Sequence, residues 1–169
     1  MRVIEFRRHG KWNFEEDKLT PEGQEEVEKL AETFPEFNII ITGPNRRDVE
    51  TGKIIAQRLK KPLEVWEGLE EITSMEGVEE KAKRVVEFLL EREEEKILVI
   101  GGGRILGAVY LALMRRPYKK LEDLQIFDFL RGFRITISAI SEDNSRSSLF
   151  YTSLKTRGWR GKKISLEEF

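Results

Sequence analysis

Short apolar runs rich in β-branched residues alternate along this chain with segments whose apolar residues recur at helical spacing, and this alternation limits the fold most. Val3–Phe6, Phe37–Ile41, Leu63–Trp66 and Lys96–Ile100 have strand length, and each opens into a loop carrying glycine or charge. Between them, Thr20 is placed to cap a helix with Pro21 at its first position and Val27, Leu30, Ala31 and Phe34 on its inner face. Asn45 is predicted to cap a second helix, facing inward through Val49, Ile54, Ile55 and Leu59. Glu79–Glu95 reads as a third, with Ala82, Val85, Val86 and Leu89 or Leu90 inward and its charges solvated. Gly101–Gly103 forms a turn into a fourth helix, Ile105–Met114. Strand-like stretches follow at Leu124–Phe129, Phe133–Ile140 and Leu149–Leu154, with a polar loop at Ser141–Ser148. The pattern predicts a three-layer α/β/α sandwich with a mainly parallel central sheet, extended late in the chain by strands of which some are antiparallel. Its 169 residues, without an internal repeat, are expected to form a single domain over 1–169.

Composition narrows the chemistry. No cysteine is present, which excludes disulfides, thiolate metal sites and a cysteine nucleophile, and agrees with a reducing, cytoplasmic setting. With one histidine and no acidic cluster of metal-binding spacing, no metal or other cofactor is expected. Charged residues are 36% of the chain, against about 25% in an average soluble protein, as in thermophilic surfaces laced with ion pairs. Basic and acidic residues number 30 and 31, so no overall field attracts nucleic acid or anionic lipid. The tail Lys155–Lys163, with Arg157, Trp159, Arg160, Lys162 and Lys163, is expected to be solvated surface. The chain is expected to begin at Met1 without a signal segment, and Ile97–Met114, interrupted by three glycines and Arg104, to be a buried strand and helix and not a membrane span.

In a parallel sheet of this kind, ligands lie beyond the carboxyl ends of the strands. That places the loops Arg7–Lys11, Thr42–Arg47, Trp66–Glu71 and Gly101–Arg104 side by side. His9, the only histidine, follows Arg7 and Arg8. Cations favour its neutral form, leaving a ring nitrogen able to attack phosphorus while arginines hold the phosphoryl oxygens.

Arg8-His9-Gly10, Leu19-Thr20-Pro21-Glu22-Gly23-Gln24 and Thr42-Gly43-Pro44-Asn45-Arg46-Arg47 with Glu50-Thr51-Gly52 resemble, in order, motifs of the histidine phosphatase, or phosphoglycerate-mutase-like, superfamily. Leu69-Glu70-Glu71-Ile72 is similar to its Leu-x-Glu after the third strand, so the resemblance spans roughly the first 115 residues. It implies a phosphomonoester phosphatase acting on a phosphorylated small molecule or phosphoprotein through a phosphohistidine. The nucleophile falls on His9, the phosphate clamp on Arg8 and Arg47, and the proton donor on Glu71, with Glu70 as the alternative. Asn13 is a further phosphate ligand by the same resemblance.

The family's second histidine follows the fourth strand, where this chain has Gly101. Loss of such a charge-stabilising group costs about a hundredfold to a thousandfold in rate, so turnover is expected to be slow. Backbone N–H groups of Gly101 and Gly102 at a helix start, and the cation of Arg104, are the candidates to replace it. A member of the fold that binds phosphate or a partner without turnover is the alternative reading. A dinucleotide site at Gly101–Gly107 lacks both the spacing and the acidic partner it would need.

Overall fold

The computed structural model describes residues 1–139 and 162–169. Its main sheet has the order β5-β4-β6-β1-β7-β8. The parallel part is β5 (Leu63–Val65), β4 (Ile39–Thr42), β6 (Lys96–Gly101) and β1 (Arg2–Arg8). On β1 lies β7 (Gly132–Ala139), and on β7 lies β8 (Lys162–Glu168), both antiparallel to their neighbour. Helices α1 (Pro21–Thr33) and α2 (Arg46–Leu59) pack together on one face, and α3 (Val78–Glu91) and α4 (Gly103–Met114) on the other. The expected three-layer α/β architecture is therefore present.

The central strands are apolar on both sides because both faces are covered. Ile97 and Val99 enter the core with Val85, Leu89, Leu106 and Val109, while Leu98 and Ile100 enter the opposite core with Val27, Phe37 and Ile55. Beyond β1 the face opposite α3 and α4 turns polar. Fully buried Glu5 there binds Arg7 at 2.6 Å and Arg134 at 2.7 Å, so the buried charge is paired on both sides.

Thr20 caps α1 as expected, its Oγ1 accepting from Gly23 N at 3.0 Å. A Cβ on Gly23 would overlap the Lys11 carbonyl, so glycine lets α1 press against the loop that follows His9. Asn45 holds the N-cap position of α2, but its side chain makes no capping bond, and Asp17 Oδ2 accepts from Arg46 N at 3.3 Å instead. Leu124–Phe129 is not a strand. A 3-10 turn at Leu121–Leu124 leads into irregular chain whose Leu124 and Phe127 are buried, and Phe127 packs edge-on against Tyr110 of α4. Its apolar residues serve that packing and not a sheet ladder.

The end of the expected basic tail, Lys162 and Lys163, belongs instead to β8, where Ile164 and Leu166 pack on the core. Leu149–Leu154, Ser141–Ser148 and the rest of that tail lie outside the described residues. Among the described residues no helix is long and apolar enough to cross a membrane.

Candidate functional site

The carboxyl ends of β1, β4 and β6 bring the sequence-predicted residues together. Arg8 ends β1 opposite Gly101 at the end of β6, and His9 N donates to Gly101 O at 3.1 Å. Gly10 N donates to Thr51 Oγ1 at 3.1 Å, and that hydroxyl donates to Arg47 O at 2.8 Å. The His9 loop is thereby fastened to the first turns of α2, which carry Arg47.

His9 is 2% exposed, and its two bonds define its tautomer. Nδ1 lies 2.8 Å from Gly10 O, which can only accept, and Nε2 lies 3.1 Å from Arg47 Nε, which can only donate. The proton is therefore on Nδ1 and the lone pair on Nε2. Burial, then the cations of Arg47 and Arg8, push the His9 pKa down to about 3 against the opposing Gly10 carbonyl bond. The imidazole stays neutral through the physiological range.

A stability prediction follows. The unfolded chain takes up this proton near pH 6.5 and the folded protein only near pH 3, so stability falls as pH falls between them. At about 1.4 kcal/mol per pH unit, lowering pH from 6.5 to 4 should cost roughly 3 kcal/mol through His9. Urea melts of the parent and His9→Asn should differ in acid slope by about that amount, and equal slopes would contradict the neutral, buried imidazole.

Arg8 and Arg47 each lie over an aromatic ring. Arg47 is 4.1 Å from the Trp12 ring centroid and Arg8 is 4.2 Å from that of Phe129, and both rings also flank His9. Arg47 Nη1 pairs with Asp17 at 2.7 Å, from the turn between the short strands β2 (Trp12–Asn13) and β3 (Lys18–Leu19). Arg8 Nη1 donates to Phe127 O at 3.1 Å, while its buried Nε has no protein partner.

Other expected residues are engaged differently. Glu71 is partly buried, and its carboxylate accepts from Ile72 N at 3.0 Å, Ile105 N at 2.9 Å and Arg104 N at 3.3 Å. The start of α4, read from sequence as an anion seat, thus holds the protein's own carboxylate. A Cβ on Gly102 would overlap that carboxylate, which is why glycine stands there. Arg104 turns its guanidinium to Ile72 O at 3.3 Å, away from the role of a replacement cation. Asn13 is exposed, and its Oδ1 accepts from Glu15 N at 2.9 Å and Glu16 N at 3.3 Å within its own turn, so it does not join the cluster. Glu70 is exposed, which leaves Glu71 as the better placed of the two.

Sequence reading missed Asp17, Phe129 and above all Asp48. Asp48 is fully buried in the first turn of α2, and neither carboxyl oxygen has a protein partner. Burial raises its pKa well above the ordinary aspartate range; Arg47 and Arg8 oppose that shift, and Glu71 and Asp17 add to it. An acid in a first helical turn reads from sequence as a solvated complement to the helix dipole, so nothing local marked it.

The layered sheet is that of a phosphoglycerate-mutase-like α/β protein. The sequence profile of the histidine phosphatase superfamily (branch 1) matches residues 5–76, and over that stretch the chain is similar to that superfamily. Bacillus stearothermophilus YhfR superposes with a TM-score of 0.65 at 19% identity, over 82% of this chain and 92% of that one. Phosphoserine phosphatase from Entamoeba histolytica in complex with 3-phosphoglyceric acid gives 0.61 at 17%, over 80% and 91%. A mycobacterial glucosyl-3-phosphoglycerate phosphatase in complex with VO3 gives 0.64 at 13%, over 100% and 99%. No curated protein sequence matches the chain at a significant level. Identities this low carry the fold and leave the chemistry to the side chains.

Proposed function

We propose that the chain, acting as a single domain, is a metal-independent phosphomonoester phosphatase working through a phosphohistidine at His9. The observation that carries this reading is the Nε2 lone pair, fixed by the Gly10 bond and lying 3.1 Å from Arg47 Nε. A phosphoryl group placed on Nε2 meets Arg47, and the Arg8 cation acts on the same ring. Arg47 presents Nε toward it while Asp17 holds Nη1, which limits the guanidinium to one orientation. Phosphorus is transferred from the ester oxygen to Nε2 and then to water. A carboxyl of the site supplies the proton for the leaving oxygen, a role that family resemblance alone would give to Glu71. Turnover is slow, because by family resemblance Gly101 stands where the second histidine would be, and Glu71 fills the nearby helix end. The substrate class is a phosphorylated small molecule or a phosphoprotein. The related folds named above as phosphatases, one of them with VO3, agree with this class.

A non-catalytic phosphate-binding module is favoured by one observation: carboxylates of Asp17 and Glu71 already occupy Arg47 and the α4 start. Both readings require anion binding. Vanadate should raise Tm, by about 2.7 kcal/mol of stability at a hundred times its Kd, and Arg47→Ala should abolish the shift. No shift at millimolar vanadate or phosphate, or one that survives Arg47→Ala, would contradict the site. Release of phosphate from an aryl ester then separates enzyme from module.

A further inference from the structure

Among the described residues, every buried side-chain polar atom without a protein partner belongs to one edge of the sheet: Arg8 Nε, Thr42 Oγ1, Asn45 Oδ1 and both oxygens of Asp48. Buried polar groups are ordinarily satisfied, so a cluster of exceptions at a ligand-binding edge marks groups whose partner is a ligand or its water. Asp48 contributes two of these atoms. It follows Arg47 directly on α2, and its Oδ2 lies 2.6 Å from where a Cβ on Gly43 would stand, so glycine at 43 makes the space it fills. The charges acting on it are Arg47 on its own helix, Arg8 at the end of β1, Glu71 beyond the third parallel strand and Asp17 in the β2–β3 turn. These include both clamp arginines and the carboxylate assigned by resemblance as proton donor.

Resting on the phosphatase reading, we infer that Asp48, and not Glu71, holds the proton that the leaving oxygen takes. Glu71 spends its oxygens on three N–H donors, those of Arg104 and Ile105 at the start of α4 and that of Ile72, whereas Asp48 offers an acid with no competing protein acceptor. In the first half-reaction the Nε2 lone pair forms the N–P bond. The P–O ester bond breaks with its electron pair on the leaving oxygen, and that oxygen takes the Asp48 proton, giving alcohol and a carboxylate. In the second, water attacks phosphorus, the P–N pair returns to Nε2, and the water proton restores Asp48. The carboxylate formed between the half-reactions is stabilised by Arg47 and Arg8. A neutral carboxylic acid kept in a buried site is a known means of proton and hydrogen-bond donation at neutral pH.

Two measurements on the full chain test this. The carbon-13 shift of the Asp48 side-chain carboxyl, assigned by comparison with Asp48→Asn, should report a protonated acid through neutral pH. A general acid matters most for poor leaving groups, so the kcat/KM ratio of 2,4-dinitrophenyl phosphate to 2-glycerophosphate should rise about a hundredfold in Asp48→Asn. Asp48→Ala should show the same rise, which covers the case in which the amide disturbs folding. A carboxyl that ionises in the ordinary acid range, or a ratio unchanged in both variants, overturns the assignment. A rise confined to Glu71→Gln returns the role to Glu71. If the parent shows no His9-dependent release of dinitrophenolate, the phosphatase reading fails and the acid role fails with it. The carboxyl shift then still reports whether Asp48 is protonated, which separates the two failures.

Discussion

His9→Asn is expected to lower hydrolysis of 4-nitrophenyl phosphate by on the order of a thousandfold or more, because removal of a covalent nucleophile leaves only binding and electrostatics. The prediction is strong because the chain has one histidine and no cysteine, so no second side chain of either kind can take over. Asparagine retains an oxygen that can accept from Arg47, and the Gly10–Thr51–Arg47 bonds do not pass through the imidazole. The variant should therefore fold and still bind vanadate. Hydrolysis that survives in His9→Asn, or that a chelator removes and a divalent ion restores, would place the chemistry elsewhere.

Gly101→His should raise turnover by up to about a hundredfold, the scale on which a single charge-stabilising donor acts. The backbone permits the change: Gly77 is the one described glycine with positive φ, so residue 101 requires no left-handed conformation. A Cβ at 101 would meet Leu106 Cδ2 at 3.3 Å and Ile105 Cγ2 at 3.5 Å, contacts that the ends of two side chains can relieve by a few tenths of an ångström. Its register partner is Arg8, on the same side of the sheet, so an imidazole there starts beside the clamp. Gly102 offers no such opportunity, since Glu71 fills its space. Rate and Tm should be measured on the same preparation. An unchanged Tm with vanadate binding and no gain in rate would show that charge stabilisation at 101 does not limit the protein.

Strand and helix periodicity made the parallel sheet and its four covering helices legible in the sequence, because burial on both faces writes itself as continuous apolar runs such as Ile97–Ile100. Loop packing does not. Leu124–Phe129 is apolar like a strand because it covers α4, and Lys162 and Lys163 read as the end of a basic tail although they open a strand whose Ile164 and Leu166 pack inward. In the site, Arg8, His9 and Arg47 were legible because their residue types and their positions at strand ends act together. Bonds that join distant segments were not. Nothing in the sequence pairs Glu71 with the N–H of Ile105, or Asp17 with Arg47, and the burial of Asp48 depends on Gly43 leaving room beneath it.

The most direct test of a phosphohistidine mechanism is intact-mass analysis of the protein quenched during turnover of a reactive phosphomonoester, followed by peptide mapping under conditions that preserve phosphohistidine. The expected result is a mass increase of one phosphoryl group, labile to acid, located on the peptide containing His9 and absent from His9→Asn. Turnover without that increase, or an increase that persists in His9→Asn, would contradict it.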